Sequence, residues 1–296
     1  MKVLRFIPLA ALGLLAAACS NDESATGQQQ EAKYITIEAS IGSMTRATTT
    51  GNTSVFDAGD GVTLYAWTGS ATAVPADRVV NGVVNTLGTD GKWTPATQML
   101  WSDMVTPHYF LGIYPARTVS DFTADPYTLD PTDYEASDLL VARQLSGLTA
   151  TQNPVSLTFD HAMAKIYVNM NFRNQWSETP AIASCVATAA STATIDYLAQ
   201  TVTAGTQASV SLPTVAAQTG YAATYSSIMV PQTGFRTVTI TIDGQPFTYT
   251  HDADIPLEAG KYTTLNLIVG RNKIELGEVS INDWTEGTTI DGGQAM

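Results

Sequence analysis

The sequence contains little of what catalytic and metal-binding sites are built from. Only three of its 296 residues are histidines, and His108, His161 and His251 lie far apart, at no spacing typical of a metal site. Asp160 precedes His161, but neighbours on a strand point to opposite faces and cannot both serve one nucleophile. No Gly-x-Ser-x-Gly motif occurs either. We therefore expect neither an enzyme nor a protein with a metal or other cofactor.

Basic residues and cysteines are also scarce. Lys and Arg number 14 against 27 Asp and Glu, which gives a formal charge of −13. A field of that sign repels phosphate groups, so we expect no binding to nucleic acid and no peripheral attachment to anionic membranes. The two cysteines are Cys19 and Cys185. If Cys19 is acylated, no disulfide is available within the chain, and Cys185 is interpreted as a small buried apolar side chain.

The sequence has no apolar run long enough to span a membrane, and its longest apolar run lies at the N-terminus. Lys2 and Arg5 begin it, apolar residues follow as far as Leu15, and three alanines precede Cys19. This order predicts a secretory signal peptide over residues 1–18. The run is shorter than the roughly 20 residues that span a bilayer. A cysteine directly after small residues resembles the lipobox of bacterial lipoproteins, which implies that Cys19 is acylated and that lipid is the only membrane attachment.

The residues behind Cys19 predict a flexible tether. Residues 19–32 contain almost no large apolar side chain, a composition typical of a solvated linker. Removal of the signal peptide also removes two cations and lowers the formal charge from −13 to −15. Asp22 and Glu23 resemble the surface-export signal of some Gram-negative lipoproteins. We therefore expect an outer-membrane lipoprotein that is exposed at the cell surface.

What the sequence does have is short runs of alternating apolar residues. In the first of these, Ile35, Ile37, Ala39 and Ile41 fall on one face of an extended chain, which predicts a half-buried strand. The Thr-rich stretch that follows contains Arg46 and has no apolar partner for a strand. It is therefore predicted to be an exposed loop that a protease could bind.

Similar runs recur along the whole chain. Examples are "GVTLYAW", "HYFLGIYP" and "RTVTITIDGQPFTYTH", the last being two strands around Asp243-Gly244, a hairpin signal. Only "PAIASCVATAASTATI" is rich in alanine, and its Thr, Ser and β-branched residues leave it open between helix and strand. About 260 residues after the tether exceed one small sandwich, so the sequence predicts an all-β protein of two domains, residues 33–154 and 155–296.

Two further patterns admit a binding function but are interpreted as structural. Asp57 and Asp60 in "DAGDG" lack the additional oxygen ligands of a calcium loop, so the segment is predicted to be a turn before a strand. Tryptophans stack on sugars in many binding sites, but five single ones spread among β runs are more typical of core packing. These are Trp67, Trp93, Trp101, Trp176 and Trp284.

Six segments together resemble the fimbrillin (Mfa-like) family of Gram-negative anaerobes, whose members are pilins and pilin-like lipoproteins. They are "VFDAGDGVTLYAWTG", "MLWSD" with "HYFLGIYPA", "SLTFDHAMAKIYVNMNF", "SIMVPQ", "EAGKYTTLNLIVGRNKIEL" and "INDW". The resemblance implies two transthyretin-like β-sandwich domains in tandem, export as a lipoprotein and, in many members, assembly into a fimbrium that serves adhesion to a host or bacterial surface ligand.

The resemblance also implies a maturation step. In polymerising fimbrillins an arginine-specific protease removes the N-terminus with the first strand, and a strand from another subunit fills the groove. Thr45-Arg46-Ala47 resembles that cleavage site, and the removable strand would carry Ile35, Ile37, Ala39 and Ile41. The expected partners are therefore other fimbrial subunits and the protease.

The role within a fimbrium is left open. The tail after Trp284 has few large apolar residues, which favours a tip or accessory subunit, whereas "KIELGEVSINDW" offers a stalk subunit a better donor strand. A cleavable Arg46 counts against an anchor subunit. The alternative function is a monomeric surface lipoprotein that keeps its first strand and binds carbohydrate or a host protein.

Overall fold

A computed structural model describes residues 34–42, 55–271 and 274–283, and strands dominate these residues. Two short 3-10 turns, Glu135–Ser137 and Ala150–Gln152, are the only helical elements within the described ranges, and neither is long and apolar enough to cross a membrane. The strands are β1 (Ile37–Ile41), β2 (Gly61–Thr68), β3 (Val80–Leu87), β4 (Trp93–Pro95), β5 (His108–Tyr114), β6 (Asp125–Thr128), β7 (Leu140–Leu148), β8 (Val155–His161), β9 (Ala164–Phe172), β10 (Ile182–Ala190), β11 (Thr192–Asp196), β12 (Thr201–Ala204), β13 (Gln207–Ser211), β14 (Thr214–Val215), β15 (Ala223–Met229), β16 (Thr237–Ile242), β17 (Gln245–Thr250), β18 (Lys261–Val269) and β19 (Ile274–Asp283).

The first half of the chain forms a seven-stranded sheet in the order β1-β8-β7-β5-β2-β3-β4. Its two edges come together, because Tyr34 forms an antiparallel bridge to Leu100, which follows β4. The Ile35 N–H also donates to the carbonyl of Met99 at 2.9 Å. The sheet therefore curls around an interior of its own, with β1 next to the line where the edges meet.

The strands of this sheet are apolar on both faces. One face lines the interior of the curled sheet, and the other packs against the second half of the chain. Along β2, Val62, Leu64 and Ala66 belong to the interior of the curled sheet. Tyr65 and Trp67 point the other way and share a buried cluster with the second half of the chain. Burial on both sides explains why "GVTLYAW" reads as a nearly continuous apolar run.

The second half of the chain contains a five-stranded sheet, β14-β15-β9-β18-β19, and a four-stranded sheet, β13-β10-β16-β17. Their inward side chains belong to one buried cluster, to which β9 contributes Ile166, Val168 and Met170, and β10 contributes Cys185 and Ala187. The alanine-rich segment is therefore strand, since β10 and β11 cover most of it.

The hairpin around Asp243-Gly244 is confirmed. Strands β16 and β17 pair antiparallel, and Ile242 lies opposite Gln245. Asp243 and Gly244 have φ angles of 50° and 74°, the left-handed values that a two-residue type I′ turn requires.

A fourth sheet, of three strands, joins the two halves. It has the order β12-β11-β6, and β6 comes from between β5 and β7 whereas β11 and β12 follow β10. These features confirm the expected all-β class with two sandwich units in tandem.

Strand β8 pairs with β1 and β7, so the expected division between residues 154 and 155 falls before β8, and the chain changes sheet between His161 and Ala164. The alternation runs through β8 and β9 with only two residues between them, which hides that change in the sequence.

Candidate functional site

The strand that the sequence predicts at the N-terminus lies at the curled edge of the first sheet. We call residues 34–42 the first-strand segment. Ile35 and Ile37 are buried, with 1% and 5% of their surfaces exposed, and Ala39 and Ile41 are half-buried on the same face. Thr36, Glu38 and Ser40 alternate with them and are exposed. The predicted strand and its buried face are therefore confirmed, whereas Cys19, Arg46 and Ala47 lie outside the described residues.

Strand β1 is the main hydrogen-bonding partner of β8. The two strands run parallel and are in register over five residues, from Ile37 opposite Val155 to Ile41 opposite Phe159. On its other side β8 is in register with β7 at only two positions, Leu140–His161 and Val141–Asp160. Loss of β1 would therefore leave most backbone groups on one edge of β8 without partners.

The beginning of the first-strand segment is held from both sides. The N–H of Ile35 bonds the Met99 carbonyl across the closure of the sheet, as described above. The Thr36 N–H donates to Oδ1 of Asn153 at 2.9 Å, and Nδ2 of Asn153 donates back to Oγ1 of Thr36 at 2.8 Å. The Thr36 carbonyl in turn accepts from the N–H of Val155 at 2.8 Å. Four hydrogen bonds thus fix two consecutive residues.

The buried side chains of this segment complete the interior of the curled sheet. Full burial of an isoleucine contributes about 1.5–3 kcal/mol, so Ile35 and Ile37 together supply several kcal/mol to the docking of the segment. Other members of the same cluster are Val62, Leu64, Met99, Trp101, Phe110, Val155, Leu157 and Phe159. Removing the segment would open an apolar groove that is bordered by β8 and by the stretch after β4.

Sequence reasoning missed Asn153 and Met99. Asn153 is 117 positions from Thr36, and no local pattern links the two. A signal did exist in part, because Asn-Pro directly before a strand marks a rigid loop end. Which strand such a loop faces depends on the sheet order, and that order was not available from the sequence.

Cys185 is buried, with 1% of its surface exposed, and burial raises the pKa of its thiol to about 12. The thiolate is therefore strongly disfavoured near neutral pH, and the thiolate is the reactive form. This confirms the interpretation of Cys185 as a small buried apolar side chain.

The histidines have local structural partners. Nδ1 of His161 lies 2.8 Å from a carboxylate oxygen of Asp138. His108 is fully buried, and its ring contacts Ser102 and the carbonyl of Thr106. His251 Nδ1 lies 3.0 Å from the carbonyl of Ala253. Within the described ranges, no three His, Cys, Asp or Glu side chains are arranged to hold a metal ion.

Four of the five tryptophans and the "DAGDG" segment have the structural roles predicted for them. Trp67 and Trp101 are buried, and Trp93 and Trp176 are half-buried, so none of these four rings presents a fully open face. Trp284 lies outside the described residues. In the turn before β2, the Asp57 N–H donates to a carboxylate oxygen of Asp60 at 2.8 Å.

The fold and this edge strand define a class of protein, a tandem β-sandwich whose first sheet is completed by an N-terminal strand. Solved structures share the fold. A candidate cell adhesion protein from Bacteroides uniformis has a TM-score of 0.63 at 18% identity, covering 85% of this chain and 98% of that protein. One from Bacteroides ovatus has the same TM-score at 16% identity, with 86% and 99% covered. A fimbrial protein from Bacteroides vulgatus has a TM-score of 0.51 at 14% identity, with 84% and 99% covered.

The family is shown by the sequence itself. Residues 45–284 match the model of the fimbrillin-like family, and the chain belongs to that family. No functionally curated protein matches the sequence. Membership makes this a fimbrillin-like protein, and the fold shared with the solved structures agrees with that assignment. The matched region begins after β1, so the first-strand segment lies outside it.

Proposed function

We propose that this chain is a fimbrial subunit that is exported as a lipoprotein, is cut by an arginine-specific protease, and then joins other subunits by strand exchange. Cys19 carries the lipid, and the bond between Arg46 and Ala47 is the one cut. The strand released by the cut carries Ile35, Ile37, Ala39 and Ile41. Before cleavage the protein is anchored in the outer membrane, and afterwards it is part of a fimbrium that serves adhesion, in a tip or accessory position.

The observation that carries this proposal is the position of β1. It lies at a sheet edge, it is followed within a few residues by an arginine in a Thr-rich stretch, and it supplies most of the ladder of β8. A strand from another chain restores both the hydrogen bonds and the apolar contacts when it takes this place, which is β-augmentation. Cleavage is therefore the switch between a complete monomer and an assembly-competent subunit.

A monomeric binding lipoprotein is the second candidate function. The observation that favours it is the completeness of the uncut chain, in which the first-strand segment already satisfies β8 and closes the curled sheet. Such a protein keeps its lipid and binds carbohydrate or a host protein without polymerising. Binding of glycans or matrix proteins by the uncut monomer, measured in an affinity screen, is the outcome that this alternative predicts.

The experiment that separates the two candidates is the intact mass and N-terminal sequence of the protein taken from its native cell surface. A fimbrial subunit begins at Ala47, and the recombinant chain treated with an arginine-specific protease forms ladders that resist mild denaturant. A chain that begins at acylated Cys19 and stays monomeric after treatment contradicts the fimbrial proposal.

A substitution at the cut site tests the switch directly. Arg46→Ala leaves a folded, lipidated monomer that does not polymerise, because its own first strand still fills the groove. Arg46→Lys preserves the charge but is equally resistant to an arginine-specific protease, whereas Thr45→Ala preserves the arginine and still assembles. The readout is the fraction of protein in ladders after protease treatment, and polymer formed by uncut Arg46→Ala would refute strand exchange.

A further inference from the structure

The ladder to β8 runs along the whole of β1, but the side-chain contacts of the first-strand segment are concentrated at its beginning. Ile35 and Ile37 are almost completely buried, whereas Ala39 and Ile41 further along the strand are only half-buried. The side-chain hydrogen bonds from Asn153 also meet the beginning, at Thr36. Recognition of side chains at this position therefore depends mainly on three consecutive residues.

We propose that the groove selects its strand by a triplet of apolar, hydroxyl and apolar residues, and that Asn153 is the residue that recognises the hydroxyl. The inference rests on the proposed strand exchange and deepens it, because it names the chemistry of the partner. That partner is an extended segment of another subunit that runs parallel to β8. Its triplet takes the positions of Ile35, Thr36 and Ile37.

The two hydrogen bonds of Asn153 carry different information. Oδ1 accepts the main-chain N–H of Thr36, a group that every residue except proline offers. Nδ2 donates to the side-chain oxygen of Thr36, which requires an acceptor at that position. The first bond therefore positions any strand, whereas the second distinguishes Ser or Thr from an apolar residue. The orientation of the amide is fixed, because the main-chain N–H must meet its oxygen.

The main chain on both sides of Asn153 is held by contacts that do not involve the first-strand segment. It directly follows the 3-10 turn Ala150–Gln152, in which the Gln152 N–H donates to the Thr149 carbonyl at 2.9 Å. The Gln152 side-chain oxygen accepts from the Thr149 N–H at 3.0 Å. On its C-terminal side Asn153 leads into β8. The main chain that carries the Asn153 amide is thus positioned in advance, which reduces the conformational entropy lost when a strand binds.

The flanking apolar positions supply affinity, and the direction of the strand follows from the register. Ile35 and Ile37 point into the interior of the curled sheet, so polar side chains at these two positions would be buried without partners. Ile37 to Ile41 run parallel to Val155 to Phe159. A strand inserted in the opposite direction would not bring its main-chain N–H and side-chain oxygen to Asn153 in this arrangement.

The test uses the full mature chain without lipid, nicked at Arg46, so that the first-strand segment competes with added peptide. Fluorescent peptides of residues 34–42 carry Thr, Ser, Val or O-methylserine at position 36, and uptake is followed by anisotropy. One net hydrogen bond corresponds to about fivefold in affinity, so the Val peptide is expected to bind about fivefold more weakly than the Thr peptide. The Ser and O-methylserine peptides, which keep the acceptor oxygen, are expected within about twofold of Thr.

Two protein variants assign the preference to one residue. In Asn153→Ala the Thr and Val peptides bind within about twofold of each other, since the donor is gone. Asn171→Ala is the matched control, because this asparagine also makes two hydrogen bonds, to the Ala222 N–H and the Gly220 carbonyl, but lies in the second half of the chain. That variant is expected to keep the wild-type preference.

The outcomes separate this inference from the proposal beneath it. Equal binding of the Thr and Val peptides by the wild-type chain overturns the triplet, as does a preference that survives in Asn153→Ala. Weak binding of O-methylserine, equal to that of Val, also overturns it and needs no protein variant. If no peptide binds in the groove of a chain that is folded and nicked, strand exchange does not occur. That outcome contradicts the proposed function as well as the triplet.

Discussion

His108 shows how a single buried side chain can make stability depend on pH. It is fully buried, its Nε2 accepts from the Ser102 N–H at 3.2 Å, and its Nδ1 donates to the Thr106 carbonyl at 2.8 Å. This pattern favours the neutral ring, because a proton on Nε2 would oppose the Ser102 N–H, which can only donate. Burial lowers the pKa of His108, although the nearby Asp103 carboxylate opposes that effect by attracting the protonated ring.

The prediction at this residue concerns the pH range just below neutrality. Since the folded-state pKa lies below the unfolded value of about 6.5, the stabilising effect is complete above that pH and decreases as the pH falls towards the folded-state pKa. Asp103, whose pKa is lowered to about 2 by its bonds to Thr106, remains ionised throughout this range. We expect a lower unfolding temperature at pH 5.5 than at pH 7.5.

A variant assigns this effect to His108. His108→Gln is expected to be less stable at both pH values but to show a smaller difference between them, in thermal denaturation followed by circular dichroism. All other side chains are the same in the two proteins, so the comparison isolates His108. An unchanged difference would mean that the pH dependence originates elsewhere.

Among the elements, the first-strand segment has a gradient of burial that predicts where it is held most tightly. Ile35→Ala is expected to lower the free energy of unfolding by about 3 kcal/mol, since replacing a buried isoleucine with alanine typically costs about 2–5 kcal/mol. Ile41→Ala, at a half-buried position on the same face, is the matched control and is expected to cost about 1 kcal/mol. Urea denaturation of the uncut chain measures both changes. Equal losses would show that the beginning of the strand is not its main anchor.

How far the sequence predicts these elements depends on how local their causes are. The strand over residues 35–41 and the Asp243-Gly244 hairpin were predictable, because alternating apolar residues and a two-residue turn are patterns of neighbouring positions. The partner of β1 was not, because β8 lies more than a hundred residues away and parallel pairing leaves no turn signal between the strands. The contact of Asn153 with Thr36 depends on that pairing, so it could not be predicted from the sequence either.

At the scale of the whole molecule, the two halves are joined by hydrogen bonds as well as by packing. Strand β6 from the first half pairs with β11 from the second over four residues, including Asp125 opposite Ile195. Beside this pair, Tyr197 donates to the buried carboxylate of Asp125 at 2.7 Å, and Arg117 approaches the same oxygen at 3.0 Å. The guanidinium of Arg117 also lies 4.9 Å from the ring centre of Tyr127.

This network predicts that the two halves unfold together. Tyr197→Phe removes one donor from a buried carboxylate, which costs about 1–3 kcal/mol. Because Asp125 lies on the strand that joins the halves, the loss of protection is expected in β2 and β5 as well as in β9 and β18, in a single transition. Hydrogen exchange measured by mass spectrometry at low denaturant resolves these four strands separately.

Tyr249→Phe, on β17 away from the junction, serves as the control, with an expected change within about 0.5 kcal/mol. Loss of protection in only one half would mean that the units are energetically independent, and that removal of β1 would weaken the first unit without affecting the second.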